Sequence, residues 1–146
     1  MKWRIAVRIV LGLAGGAALH SQLCAQSGTS VWDGIYTKDQ ATRGGELYRK
    51  SCASCHGDDL SGQGQAPPLS GDDFKAGWSG MTVGDLFDRI QTSMPADSPG
   101  SLKPEQNAGI LAFILQVNQF PPAGQELSSD TDSLKKIRFE AAKPKK

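Results

Sequence analysis

Apolar residues recur at helical spacing in three separate stretches of the chain, and no strand pattern is visible between them. The first predicted helix runs over about residues 38–54. Thr37 is placed to cap it, Gln40 stands where a weak capping box would need it, and Leu47 and Tyr48 are the main apolar anchors. Gly44 lies one turn before Tyr48. A glycine inside a helix costs about 1 kcal/mol against alanine, so it often marks a close helix crossing, although the adjacent Gly45 also suits a surface pair with no role. The second helix is predicted over about residues 83–92. Thr82 and Asp85 form a capping box, and Leu86, Phe87 and Ile90 form one apolar face. The third runs over about residues 104–117. It begins with Pro104, favourable at a first helical position, and carries Ile110, Leu111, Phe113, Ile114, Leu115 and Val117. It should cross the first helix near Gly44 and Tyr48, and Phe120-Pro121-Pro122 ends it.

The intervening segments read differently. From Gly57 to about Gly80, Asp58-Asp59, Gly62, Gly64 and Pro67-Pro68 argue against regular structure, and a loop that long in a compact domain is usually functional. Met81, just before a helix cap, suits a hydrophobic staple. After residue 122 only one weak amphipathic stretch appears, around Leu134, Ile137 and Phe139, before Lys143-Pro144-Lys145-Lys146. That tail has three open fates: packing on the body, docking to a partner, or disorder, with disorder the default for its last residues.

Charge divides the chain. Residues 26–127 carry seven Lys/Arg against twelve Asp/Glu, whereas residues 128–146 carry six against three. An acidic body repels phosphate, which argues against nucleic acid as a partner. It could instead steer docking to a basic protein surface. At the N-terminus Lys2, Arg4 and Arg8 precede an uncharged apolar run over residues 9–19, too short to span a bilayer. Residues 1–25 therefore read as a secretory signal peptide cut near Ala25, leaving no stable membrane span. Lipid attachment at Cys24 is an alternative, though Leu23 is not the small residue such a signal usually has before its cysteine. The remaining chain divides into one domain over residues 26–122, with its core at 38–118, and a basic extension over residues 123–146.

The chemistry lies in Cys52-Ala53-Ser54-Cys55-His56. Cys-x-x-Cys-His is the attachment pattern for c-type haem. On a helix these three positions share a face, so two thiols can become thioethers on one planar group while the imidazole reaches its iron. A structural zinc site needs four ligands, and the chain has three cysteines, of which Cys24 falls in the targeting segment. A thioredoxin-like pair needs a βαβ setting that the pattern lacks, and a plain disulfide leaves His56 unexplained. Met94, held by Pro95 after the second helix, is the candidate second axial ligand through its sulfur, with core filling as the competing role. Trp78 could place its indole N–H on a haem propionate, or pack against the haem plane or the core.

These residues together resemble a class I cytochrome c, the resemblance covering about residues 38–118. It is carried by Gly44 and Tyr48, by Cys52 to His56, by Pro67-Pro68-Leu69, by Met94-Pro95 and by Ile110-Leu111-Ala112-Phe113. The resemblance implies an all-α cytochrome c fold, with three to four helices and long loops around one haem c bound through Cys52 and Cys55. It also implies that a loop proline carbonyl, here Pro67, accepts the Nδ1 hydrogen of His56, fixing its tautomer and raising its basicity. More narrowly, residues 31–37 and 84–88 are similar to bacterial periplasmic cytochromes c, some of them associated with quinoprotein dehydrogenases. By analogy, redox partners would be a periplasmic dehydrogenase, a quinoprotein among the candidates, and an oxidase or another cytochrome. The resemblance does not explain the basic tail after Glu126.

The functional expectation is a periplasmic one-electron carrier and not an enzyme, with His56 and Met94 filling both axial positions so that substrate chemistry has no open site. A haem subunit of a larger dehydrogenase complex is one alternative. A five-coordinate peroxidase or gas sensor is the other, and it requires that Met94 leave the iron free.

Overall fold

The structure is a computed structural model that describes residues 29–145. The signal-peptide reading and Cys24 lie outside the described residues. A 3₁₀ turn, Val31–Asp33, precedes six helices: α1 (Lys38–Ser51), α2 (Ala53–His56), α3 (Gly71–Trp78), α4 (Val83–Ser93), α5 (Pro104–Val117) and α6 (Thr131–Leu134). Among the described residues the only β pairing is isolated bridges, so the fold is all-α as expected.

The principal contact is between α1 and α5, and glycine makes it possible. A Cβ on Gly44 would lie 1.8 Å from the Gly109 carbonyl oxygen, so the two backbones approach to a distance that no other residue allows. The crossing falls where the sequence placed it, and Tyr48 is buried beside it with its ring 5.3 Å from Phe113. Gly45 is buried too, against the Phe113 ring, so neither glycine is a bare surface position.

At α4 the capping box forms as expected. Thr82 Oγ1 accepts from the Asp85 N–H at 3.1 Å, and the Asp85 carboxylate accepts from the Thr82 N–H at 2.8 Å. At α1 only half of the expected arrangement forms. Thr37 accepts from the Gln40 N–H, but the Gln40 side chain is committed elsewhere: its Nε2 donates to Leu127 O at 2.9 Å and its Oε1 accepts from Leu127 N at 2.7 Å. Met81 does not serve as a staple. Its side chain is exposed, and its backbone pairs with Trp78 and Phe139.

That backbone pairing belongs to the tail. Residues 127–140 pack on the body, burying Leu127, Leu134 and Phe139 in the same apolar core as α1, α4 and α5. Arg138 donates to Thr29 O at 2.8 Å and accepts from Val31 N at 2.9 Å, while Ile137 O accepts from Val83 N at 2.9 Å. Phe139 sits edge-on to Phe120 and Phe74, and Phe120 packs against Trp32 in turn. The tail thus ties the N-terminal turn to the entrance of α4.

Candidate haem site

The described residues line a large, half-open cavity of about 980 Å³, at the upper end of the size of ligand pockets. Its walls bring together all six residues singled out from the sequence: Cys52, Cys55, His56, Pro67, Trp78 and Met94. Leu69, Phe74, Leu86, Ile90, Ile110 and Ile114 add apolar surface.

The attachment motif is presented by a break in the first helix. The expected single helix ends at Ser51, and Cys52 adopts φ −129°, ψ −33°, outside the helical region. A new turn starts there, with Cys52 O accepting from Cys55 N at 3.1 Å and His56 N at 2.9 Å. The i, i+3, i+4 spacing therefore survives on a turn separate from α1, and Cys52, Cys55 and His56 all reach the cavity. Burial, with the neighbouring Cys55 second, pushes the Cys52 thiol up to about 11, so it is not poised as a thiolate ligand or nucleophile. A thioether carries no charge, and burial does not penalise it. Among the described residues no group of three or more His, Cys, Asp or Glu is placed to hold a metal ion by itself.

His56 is buried, and its Nδ1 lies 2.9 Å from Pro67 O. A carbonyl oxygen can only accept, so Nδ1 carries a proton, and in the neutral ring the lone pair is then on Nε2. The segment over residues 57–70 is built to deliver that carbonyl. Gly57 ends α2 at φ +79°, Gly62 N donates to His56 O at 2.9 Å, and Leu69 N donates to Leu60 O at 2.8 Å. A Cβ on Gly62 would lie 2.5 Å from Ala66 O, so only glycine lets the segment fold back so tightly. The Tyr48 hydroxyl, buried under this turn, donates to Gly57 O at 2.7 Å.

The second half of the expected long loop is instead α3. Phe74 is buried on it, and Trp78, its last residue, is half-buried on the cavity wall. Met94 is the C-cap of α4, extended at φ −125°, ψ 149°, with its N–H on Ile90 O; its side chain is half-buried in the cavity wall. Sequence reasoning missed the exposed Arg89, the one cationic residue on that wall. The signal was present: Arg89 lies three residues after Leu86, on the face already assigned as apolar. Asp73 and Asp97 also border the cavity.

An apolar cavity of this size, with two thiols and an imidazole on its wall and the imidazole oriented by a backbone carbonyl, fits a covalently attached haem. The model of the family described as cytochrome c oxidase, cbb3-type, subunit III matches residues 39–114. No curated protein matches the chain. Among solved structures, the sulfane dehydrogenase SoxCD from Paracoccus pantotrophus is similar, with 24% identity, covering 89% of this chain and 68% of that one, at a TM-score of 0.48. The family match spans more than half of the 146 residues and contains Cys52, Cys55 and His56, so the chain belongs to this c-type cytochrome family and carries haem c bound through those two cysteines.

Proposed function

We propose that this cytochrome is a one-electron carrier of the periplasm, with His56 and Met94 as the two axial ligands. The observation that carries the reading is that both side chains belong to the lining of one apolar cavity, His56 with its Nδ1 already committed to Pro67 O. When bound, the haem supplies a one-electron couple at its iron. Pro67 holds the His56 tautomer and ring orientation and raises the basicity of Nε2. The Met94 thioether favours the reduced state. Leu86, Ile90, Ile110 and Ile114 exclude water and so disfavour the extra positive charge of the oxidised state. Trp78, at the end of α3 and on the cavity lining, would offer its indole N–H to a haem carboxylate or pack against the haem plane.

With both axial positions filled by protein, the chain has no substrate site at the metal, and we read it as a carrier and not an enzyme. Its partners are redox proteins: a periplasmic dehydrogenase as donor, and an oxidase or another cytochrome as acceptor. Cys55 is exposed, so the edge of the cofactor beside it is the natural route for electrons. Export follows from residues 1–25. Among the described residues no helix is long and apolar enough to cross a membrane.

The test is optical and electrochemical. Oxidised protein should show the weak near-red sulfur-to-iron band. Met94→Ala should abolish the band and lower the reduction potential, and ready binding of carbon monoxide to unmodified reduced protein would favour the five-coordinate alternative. The family description favours a second reading, a haem subunit held in a respiratory oxidase complex. Co-purification with a larger complex from native membranes would select it over a free shuttle in the periplasmic fraction.

A further inference from the structure

Asn118 caps the C-terminus of α5 and is buried, with both ends of its side-chain amide engaged. Its Nδ2 donates to Ile114 O and to Leu69 O, both at 2.9 Å, and its Oδ1 accepts from Gly71 N at 3.1 Å. Asn118 is not itself part of the cavity lining, but its partners belong to three parts of that wall. Ile114 lines the cavity from α5, Leu69 ends the segment that carries Pro67, and α3, which begins at Gly71, contributes Phe74 and Trp78. The first N–H of a helix has no partner inside it, and Ser70, ahead of α3, makes no side-chain capping bond. Asn118 supplies that bond from 47 residues away in the chain.

The effect reaches His56 through a short, stiff run of chain. Pro67 O, 2.9 Å from His56 Nδ1, lies two residues before Leu69. Pro67 and Pro68 have no backbone N–H to anchor them, and their rings fix φ near about −65°. Both are exposed, so packing does not hold them down. The run is pinned at its ends instead. On one side Ala66 N donates to Gln63 O at 2.9 Å; on the other, Leu69 N donates to Leu60 O at 2.8 Å and Leu69 O accepts from Asn118. Of these three bonds, only the last comes from outside residues 57–70. It ties the run to α5, which is itself locked on α1 by the close approach of Gly44 and Gly109.

We infer that Asn118 is a positioning residue for His56: by holding Leu69 O and Gly71 N–H against the end of α5, it sets the Pro67 carbonyl on Nδ1 and with it the basicity of the axial imidazole. The inference rests on the proposed ligation of the iron by His56. A hydrogen bond from Nδ1 to a carbonyl makes the imidazole a stronger donor at Nε2, and a stronger donor stabilises the oxidised metal. Asn118 therefore favours the oxidised state. Its removal lets the carbonyl drift from Nδ1 and raises the potential.

The experiment uses haem-loaded full-length protein. Asn118→Leu removes all three bonds with little change of shape and no change of charge. Asn118→Ala, which leaves room for water to meet the freed groups, is a second variant should the first not fold. At a fixed applied potential the ratio of reduced to oxidised protein should rise between about three- and tenfold, a tenfold change being about 59 mV for a one-electron couple. The His56 Nδ1 proton, followed by NMR, should exchange faster with solvent. Leu134→Ala is the control, because it costs stability away from the cavity wall, and it should leave both readouts unchanged. An unchanged potential and exchange rate in either folded Asn118 variant would overturn the inference, as would equal changes in Leu134→Ala. The unaltered protein separates the two levels. If its oxidised form shows no His56 ring signals shifted by the iron, the ligation reading has failed. If those signals are present and the Asn118 variants change neither readout, only the role of Asn118 has failed.

Discussion

Tyr48 shows how a single buried hydroxyl supports the cofactor from behind. Its O–H donates to Gly57 O, the carbonyl next to His56, and Gly57 O also accepts from Leu60 N at 3.2 Å. Tyr48→Phe thus removes one of two hydrogen bonds at that oxygen, and should cost about 1 kcal/mol in chemical unfolding at neutral pH. Burial, followed by the nearby Cys52, Asp58 and Asp59, pushes the Tyr48 phenol up to about 12 from 10.0. The folded state therefore holds this proton more tightly than the unfolded state does. The contribution is whole below pH 10 and is lost as pH rises toward about 12. Phenylalanine has no such proton, so the stability gap between the two proteins should narrow across that window. At this scale the sequence was most legible. Cys52, Cys55 and His56 were reached through their spacing, Met94 through the Pro95 that follows it and Pro67 through the family resemblance, and all five line the cavity. Asn107 was not legible. Its identity looks ordinary on a helix, and nothing in the sequence shows that the fold leaves it 0% exposed with both amide atoms unpartnered among the described residues.

Among the elements, the α1–α5 crossing is the joint on which the cavity depends, since α1 leads into the attachment turn and α5 supplies Ile110 and Ile114. Gly44→Ala should gain about 1 kcal/mol of helix propensity. It would also drive a methyl into the Gly109 carbonyl, backbone that cannot move aside. We expect a net loss of about 3 kcal/mol or more by chemical unfolding, the upper range for overpacking. Gly45→Ala meets only the Phe113 ring, at 3.0 Å, and should cost clearly less. α1, α4 and α5 were legible because each carries its own apolar stripe and start signal. α3 was hidden because Asp58-Asp59, Gly62, Gly64 and Pro67-Pro68 carried the loop reading on to about Gly80. Its real signals were modest: acidic Asp72 and Asp73 in the first turn, and Phe74 and Trp78 four residues apart. The break at Cys52 was also unreadable, since nothing in the composition there opposes a continuous helix.

At the scale of the whole molecule the tail is the decisive part, and its role is set by partners far away in the chain. Its apolar residues Leu134, Ile137 and Phe139 show only a weak amphipathic pattern, Leu127 stands apart from them, and α6 is a single turn. Yet three of its contacts reach far back across the chain: Leu127 to Gln40 in α1, Lys135 to Asp88 at 3.2 Å in α4, and the Glu140 carbonyl to the Trp32 indole at 2.8 Å. Gly84 in α4 has no side chain because the Lys135 backbone occupies the space, with a Cβ falling 2.6 Å from Lys135 N. Removing everything after Glu126 would therefore expose more than a terminus. It would strip cover from Phe74, Val83 and Phe120, and leave the buried Gln40 amide without partners. Full burial of each large apolar side chain contributes about 1.5–3 kcal/mol. The loss of Leu127, Leu134 and Phe139 together is then comparable with the whole margin of a small domain, roughly 5–15 kcal/mol. The truncated chain should fail to hold a native fold, seen as lost haem incorporation and a collapsed thermal transition. The single replacement Leu134→Ala should cost about 2–5 kcal/mol while haem is still attached, because that side chain is fully buried but lies outside the cavity wall. Retention of full stability by the truncated protein would mean that the tail only rests on the body, and that α1, α4 and α5 close the core without it.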